Sequence, residues 1–219
     1  MSFSKVLILA GVHGCEPQSV DFALACVQKF DLVKQESELF DLYQNEQFIL
    51  IPDFNRFGLA KNIRVNENGV DLNRNLPSLN WSAEFEDKDY YPGVQQASEK
   101  QTQALVEIIN SNKPDLIISI HTTHFVTHPT PAQVNFDGEK DSNDYKFAQE
   151  LADKLSLPLT CDIGYPTPGS LGSYALDKKI PCITLELDDE LNAQELLTKY
   201  SSAFNLCLQQ SVIIKKVYD

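Results

Sequence analysis

Four residues that can bind a metal ion or move a proton follow apolar, strand-like runs of the sequence. His13 and Glu16 lie three positions apart just after "KVLILA", His121 ends "DLIISIH", and Glu186 lies inside "TLELDD". In open α/β sheets, ligands bind at the carboxyl ends of the strands. We therefore expect these four side chains to converge, although more than a hundred positions separate His13 from His121.

Two imidazoles and one carboxylate form the usual ligand set of a catalytic zinc site, which leaves one coordination position open. His13, Glu16 and His121 offer that set, and Glu186 offers a carboxylate that can serve as a base. Each residue also has a plainer interpretation, because His121 can simply cap a strand and Glu186 can lie on a solvated edge. Their shared position at strand ends favours a site.

The strand-like runs alternate with segments of helical periodicity, and this pattern predicts an α/β fold. Between "QFILIPD" and a helix beginning near Ala97 lie about 45 residues rich in Asn, Gly and Pro, a length typical of functional or disordered loops. The predicted helices are "PQSVDFALACVQKF", "ASEKQTQALVEIINSN", "SNDYKFAQELADKLS" and "NAQELLTKYSSAFNLCLQQ". We expect one domain over residues 1–219.

Charge and composition exclude several classes of function. The 219 residues carry a formal net charge of -13, which opposes binding to nucleic acids or anionic membranes. The apolar runs are too short for a membrane helix, and the first residues lack the pattern of a signal peptide. Five scattered cysteines predict free thiols in a reducing compartment, hence the cytoplasm. Cys15 lies in the candidate loop and stays open as a nucleophile.

The segment "RVNENGVDLNRNLP", residues 64–77, contains two arginines suited to a bidentate clamp for a substrate carboxylate. With "HGCE", "SIH" and "TLEL" in this order, the sequence resembles the zinc metallocarboxypeptidase superfamily (M14). Within it, the chain is most similar to the bacterial murein peptide amidases, which cleave the γ-D-glutamyl to diaminopimelate amide of cell-wall peptides. The likeness runs from about Val6 to Glu186 and includes "GYPTPGSLGSY".

This resemblance implies a three-layer α/β/α fold with a mixed central sheet, one zinc ion per chain and a small peptide substrate with a free carboxylate. It implies that His13, Glu16 and His121 bind the zinc and that Glu186 is the general base. The other family motifs imply Arg64 as the cation that stabilises the oxyanion, Asn73 and Arg74 as the carboxylate clamp, Asp71 as acceptor for His13, Tyr165 as a phenol closing over substrate, and Leu171 in the leaving-residue pocket.

The sequence departs from the murein amidases in two segments. "TTHFVTHPTP" follows His121, and Asp188 with Asp189 follows "TLEL". We expect Asp188 to supply counter-charge to the far amino acid centre of diaminopimelate. His124 and His128 are a candidate second metal site by spacing.

Several alternatives remain open. The enzyme can instead be a zinc deacylase of N-acyl amino acids, or the fold a non-catalytic carboxylate-binding module. Tyr165 can also be a tyrosine packed at a proline-rich turn.

Overall fold

Eight strands form one mixed sheet in the computed structural model, which describes residues 3–123 and 131–211. The strands are β1 (Val6–Leu9), β2 (Val33–Gln35), β3 (Leu42–Gln44), β4 (Phe48–Ile51), β5 (Leu116–Thr122), β6 (Gln133–Asp137), β7 (Leu159–Thr160) and β8 (Cys182–Leu187). Their order across the sheet is β2-β3-β4-β1-β5-β8-β6-β7. The pairs β2/β3, β3/β4 and β6/β8 are antiparallel, and the other neighbours are parallel.

The described residues form six α-helices, and five of them cover the two faces of this sheet. They are α1 (Pro17–Val27), α2 (Arg56–Lys61), α3 (Lys100–Asn112), α4 (Asn143–Leu155), α5 (Leu171–Asp177) and α6 (Ala193–Ser211). Helices α1, α4 and α6 pack on the face that carries Val6, Ile8 and Ile118. Helices α3 and α5 pack on the opposite face, with Leu7 and Ile117. Within the described residues, no helix is both long enough and apolar enough to cross a membrane.

The structure confirms the predicted α/β fold with a mixed sheet, including the four apolar strands and the four long helices. Sequence reasoning missed β2, β3, β6, β7, α2 and α5. The long middle segment is ordered by its own polar side chains: Asn66 and Asn68 both donate to Glu99 at 2.7 Å, and Asn75 donates to the Pro92 carbonyl at 2.7 Å. Arg64, Asn73 and Tyr90 of this segment line one cavity together with His13 and His121.

Candidate active site

Three predicted metal ligands meet at the carboxyl ends of β1 and β5. His13 Nδ1 lies 2.6 Å from Glu16 Oε1, and His121 Nδ1 lies 2.9 Å from Glu16 Oε2. One donor atom from each of the three residues lies within 4.8 Å of the others, and all three side chains are buried. The two ring nitrogens thus face the same carboxylate, as the strand-end argument predicts.

The loop between β1 and α1 requires glycine at two positions, because the backbone of other segments lies very close to it there. Gly11 has φ +63°, and a side chain there would place its Cβ 2.7 Å from the Pro52 carbonyl oxygen. A Cβ at Gly14 would overlap the backbone of Gly58. Glu16 precedes α1 without capping it through its side chain, so its carboxylate is available to the histidines. Pro17 then begins the helix, where its missing N–H costs nothing.

The second nitrogen of each histidine has its own neighbour. His121 Nε2 lies 3.0 Å from Ser119 Oγ, and His13 Nε2 lies 3.3 Å from Asp71 Oδ1, close but not aligned as a hydrogen bond. A hydrogen-bond partner fixes the tautomer and ring orientation of a metal-binding histidine, and Ser119 is placed to do so for His121. With both Nδ1 atoms directed at one buried carboxylate, the donor set fits a zinc ion with an open position.

Charged side chains of opposite sign stabilise one another beside the ligand cluster. Asp71 accepts from Arg64 Nε at 3.0 Å and pairs with Arg64 Nη2 at 2.9 Å. Burial alone would raise the pKa of Asp71, but Arg64 and His13 hold it well below its usual range. Burial alone would likewise raise the pKa of Glu16, and the two histidines hold it low. Arg64 therefore lies fixed beside the ligand cluster, with Nη1 3.3 Å from His13 Nδ1.

Glu186 lies beside the ligand cluster on the neighbouring strand. The register of β5 and β8 pairs His121 with Glu186 and Ser119 with Thr184, and these side chains line one cavity of about 240 Å³. Burial raises the pKa of Glu186 to about 7; the Glu16 carboxylate adds to this shift and the His121 ring opposes it. The arrangement gives a buried carboxyl group next to a metal-type cluster.

The segments "DLNRN" (residues 71–75) and "TPGSL" (residues 167–171) contact each other at the wall of this cavity. Asn73 lines it, and its Oδ1 accepts from the Leu171 backbone N–H at 2.9 Å, which directs the amide NH₂ away from that contact. Leu171 also lines the cavity as the first residue of α5. A Cβ at Gly169 would lie 2.1 Å from the Arg74 carbonyl oxygen, so glycine permits the close approach of the two segments.

Two aromatic rings separate this cavity from a second one, which Arg74 lines. Tyr90 and Tyr165 border both cavities. The Tyr90 ring lies 4.6 Å from the guanidinium carbon of Arg64 and 5.5 Å from that of Arg74, and the Tyr165 ring lies 5.9 Å from Arg74. Arginine over an aromatic face is a favourable contact. Tyr90 therefore contacts both guanidinium groups, and no motif in the sequence indicated this contact.

Some sequence expectations fall outside the cavity. Asp188 is not among its lining residues; its carboxylate accepts from the Glu190 N–H at 3.1 Å and lies 3.9 Å from Lys199 Nζ. Cys15 also does not line the cavity, and burial, with Glu16 nearby, raises the pKa of its thiol to about 11, which disfavours a nucleophilic thiolate. His124 and His128, the candidate second metal site, lie outside the described residues.

Sequence reasoning missed several polar residues of the cavity besides Tyr90, among them Ser119, Asn135 and Asp137. Ser119 lies two positions before His121 in an otherwise apolar strand, so the strand period of two already placed it on the His121 face. Asn135 and Asp137 lie on β6, whose sequence "QVNFD" alternates polar and apolar residues. That alternation was the available signal for a strand with a polar face.

Comparisons with known proteins agree with this geometry. The sequence profile of the family described as zinc carboxypeptidase (Peptidase_M14) matches residues 3–216. Murein peptide amidase A of Escherichia coli strain K12 is 32% identical over 205 residues, which cover 89% of this chain and 75% of the relative. The protein of the same name from Vibrio campbellii is 30% identical over 220 residues, with 95% and 79% covered.

Solved structures agree as well. The murein-tripeptide amidase of Escherichia coli O157 superposes with a TM-score of 0.71 at 29% identity, covering 94% of this chain and 81% of the other. Thrombin activatable fibrinolysis inhibitor, at 19% identity, shares the fold with a TM-score of 0.67, covering 95% of this chain and 61% of the other. The chain therefore belongs to the zinc carboxypeptidase family, M14, and is a metallopeptidase or amidase of that family.

Proposed function

We propose that this enzyme hydrolyses the amide between γ-D-glutamate and diaminopimelate in small murein peptides, with one zinc ion held by His13, Glu16 and His121. The observation that carries the proposal is one cavity that combines this ligand cluster with Glu186, Arg64 and Asn73. The names of the relatives at about 30% identity support the choice of bond. We further propose that residues 1–219 form one catalytic domain.

The residues of the cavity suit each step of amide hydrolysis. A zinc ion, when bound, supplies a Lewis acid that polarises a carbonyl and activates water. Glu186 takes the proton of the attacking water and returns it to the leaving amine nitrogen. Arg64, fixed by Asp71, stabilises the negative charge that develops on the scissile carbonyl oxygen. Glu186 and Asp71 are buried and Arg64 is only slightly exposed, and charges in such surroundings act more strongly than in water.

Substrate binding uses the groups on the α5 side of the cavity. Asn73, which lines this cavity, and Arg74, which lines the adjoining one, bind the free carboxylate of the leaving residue, and Leu171 contacts its side chain. Arg74 is buried and donates to the Asn73 carbonyl at 2.8 Å, so its guanidinium is held near that clamp. Tyr165, at the border of the two cavities, closes over the bound peptide.

Tyr90 offers a test of how the two arginines are oriented. We expect Tyr90→Leu to lower kcat/KM by about 5- to 30-fold, because each lost arginine–ring contact contributes about 0.5–2 kcal/mol. Tyr90→Phe keeps the ring face and is expected to stay within about 3-fold of the wild type. Steady-state kinetics on one peptide substrate measures both variants. An equal loss in the two variants would assign the effect to the hydroxyl group instead of the ring.

The substrate proposal is tested by direct competition among peptides. We expect L-alanyl-γ-D-glutamyl-diaminopimelate to be cleaved faster than its lysine analogue, which lacks the second carboxylate, and faster than ordinary C-terminal dipeptides. Product release followed by chromatography under equal enzyme and substrate concentrations gives the ratio of kcat/KM values. A carboxyl-terminal amide of the tripeptide is the control, since it removes the charge that Asn73 and Arg74 bind.

Two outcomes would contradict this proposal. Turnover of N-acyl amino acids with no cleavage of the tripeptide would favour the deacylase alternative. Equal rates on the free-acid and amide forms of the tripeptide would contradict the assignment of Asn73 and Arg74 as the groups that bind the free carboxylate. Because the chain is an enzyme of this family, the alternative of a non-catalytic binding module is wrong.

We also propose that the enzyme works in the cytoplasm, on peptides released from the cell wall during its recycling. The five cysteines are free thiols, and Cys26, Cys182 and Cys207 are buried. Free thiols are typical of a reducing compartment.

A further inference from the structure

The second cavity, which Tyr90 and Tyr165 share with the first, takes no part in the hydrolytic steps described above. It has a volume of about 430 Å³, compared with about 240 Å³ for the cavity that contains the ligand cluster. Arg74 lines the second cavity, whereas Glu16 and Glu186 line the first. The second cavity is therefore large enough to hold a ligand of its own beside the reaction site.

Arg74 gives the second cavity a buried positive charge. The residue is only 5% exposed, and its Nη1 donates to the Asn73 carbonyl at 2.8 Å. Among the residues that the structure describes, no carboxylate lies within 4 Å of the Arg74 guanidinium. A guanidinium group has five N–H donors, and its preferred partner is a carboxylate that accepts two of them. The cavity therefore offers a binding group for a carboxylate.

Two acidic side chains line the same cavity at exposed positions. Glu84 and Glu86 are both exposed, whereas Arg74 is buried, so the negative charges lie nearer the solvent than the positive charge. Within the described parts of the chain, neither glutamate has a cationic partner within 4 Å. This distribution of charge is complementary to a ligand with a carboxylate at one end and an ammonium group at the other.

Apolar groups line the second cavity together with these charges. They come from Phe85, Pro92, Pro166 and Pro168. The Phe85 ring packs edge to face on the Tyr91 ring, with 5.1 Å between the ring centroids, and remains 47% exposed. Such a wall suits the aliphatic part of a side chain whose charged end stays near water.

We infer that the second cavity binds a free amino acid whose side chain ends in an ammonium group, as in lysine and diaminopimelate. Its carboxylate binds Arg74, and its aliphatic chain packs on Phe85. The ammonium group faces Glu84 and Glu86 at the exposed side of the cavity.

A ligand at this place inhibits the enzyme. This consequence rests on the proposed function, in which Arg74 also binds the free carboxylate of the leaving residue. A guanidinium already paired with the carboxylate of a free amino acid is no longer available to the substrate, so the ligand raises KM and leaves kcat unchanged. Diaminopimelate, released from the proposed bond, is itself such a ligand, and its accumulation therefore slows the reaction.

The test is inhibition of tripeptide hydrolysis by free lysine, norleucine and 1,5-diaminopentane, measured as Ki from initial rates of the zinc-loaded enzyme. We expect lysine to be a competitive inhibitor. Its Ki should be about 10- to 100-fold lower than that of 1,5-diaminopentane, which lacks the carboxylate. It should be about 2- to 5-fold lower than that of norleucine, which lacks the ammonium group, because pairs with exposed carboxylates are weak.

Two variants locate the inhibitor in the second cavity. Phe85→Ala should raise Ki for both lysine and norleucine by about 3- to 10-fold, since it removes an apolar contact of the chain. The double variant Glu84→Gln/Glu86→Gln should remove the advantage of lysine over norleucine. Both variants should keep kcat and KM for the tripeptide within about 2-fold of the wild type, because these three side chains line the second cavity and not the first.

Phe57→Ala and Glu107→Gln/Glu190→Gln are the matched controls, because they make the same changes at exposed positions outside both cavities and should leave every Ki within about 2-fold. An unchanged Ki for lysine in Phe85→Ala would overturn the inference, as would inhibition by lysine that lowers kcat instead of raising KM. Calorimetry with lysine measures the same dependence on Phe85 without turnover. If that dependence is found but the tripeptide is not hydrolysed, the binding site stands and the proposed bond is wrong.

Discussion

His13→Ala and His121→Ala are each expected to lose the zinc ion and to reduce amidase activity by at least about a thousandfold, while the wild type holds about one zinc per chain. Each substitution removes one of three donor groups that lie within 4.8 Å of one another. Two remaining donors do not hold zinc as tightly as three. Without the metal ion, only the substrate-binding residues of the cavity remain to support activity. Metal content by mass spectrometry and kcat/KM on the tripeptide measure the two effects.

Cys15→Ala is the matched control for this prediction. Cys15 lies between the two ligands in sequence but does not line the cavity, and its raised pKa keeps the thiol protonated. The variant is expected to keep its zinc and its activity, and a large loss would reopen the nucleophile alternative. Full zinc occupancy in both histidine variants would contradict the metal assignment. Two zinc ions in the wild type would add His124 and His128, which lie outside the described residues.

The convergence of the ligand cluster was predictable because it follows from strand position alone. A residue at the carboxyl end of a central parallel strand can lie only at one edge of the sheet, so His13 and His121 had to meet once β1 and β5 were identified. Glu186 followed by the same argument, since β8 pairs with β5. The apolar sequences of these strands, buried on both faces, made them easy to recognise.

The other end of the cavity was not predictable in the same way. Asp137 lies on β6, an antiparallel strand whose alternation of polar and apolar residues is short, at five residues, and the sequence gives no sign of which strand it joins. Tyr90 lies in the long middle segment, where side-chain hydrogen bonds instead of periodicity determine the path of the backbone. Asp188 looked suitable because it follows Glu186 closely, but β8 has ended at Leu187.

Glu186→Gln is expected to keep its zinc and its fold but to lose about a hundredfold to ten-thousandfold in kcat, the usual range for a general base. The amide is nearly the same size as the carboxylate, so it fits the buried place beside His121 and Thr184. It cannot take a proton from water, so the attacking water stays less nucleophilic and the leaving nitrogen receives no proton from this group. The effect should therefore fall on kcat, with KM within about 3-fold of the wild type.

Glu190→Gln is the matched control, because it makes the same change at an exposed position four residues later. It is expected to leave zinc content, kcat and KM unchanged within about 2-fold, as surface substitutions away from special features usually do. A near-normal kcat in Glu186→Gln would mean that another group acts as the base. Loss of zinc in that variant would show instead that Glu186 supports the metal site, and the loss of activity would then say nothing about proton transfer. Measuring zinc content and kcat on the same preparation separates a base, which acts on the reaction, from a residue that only maintains the ligand cluster.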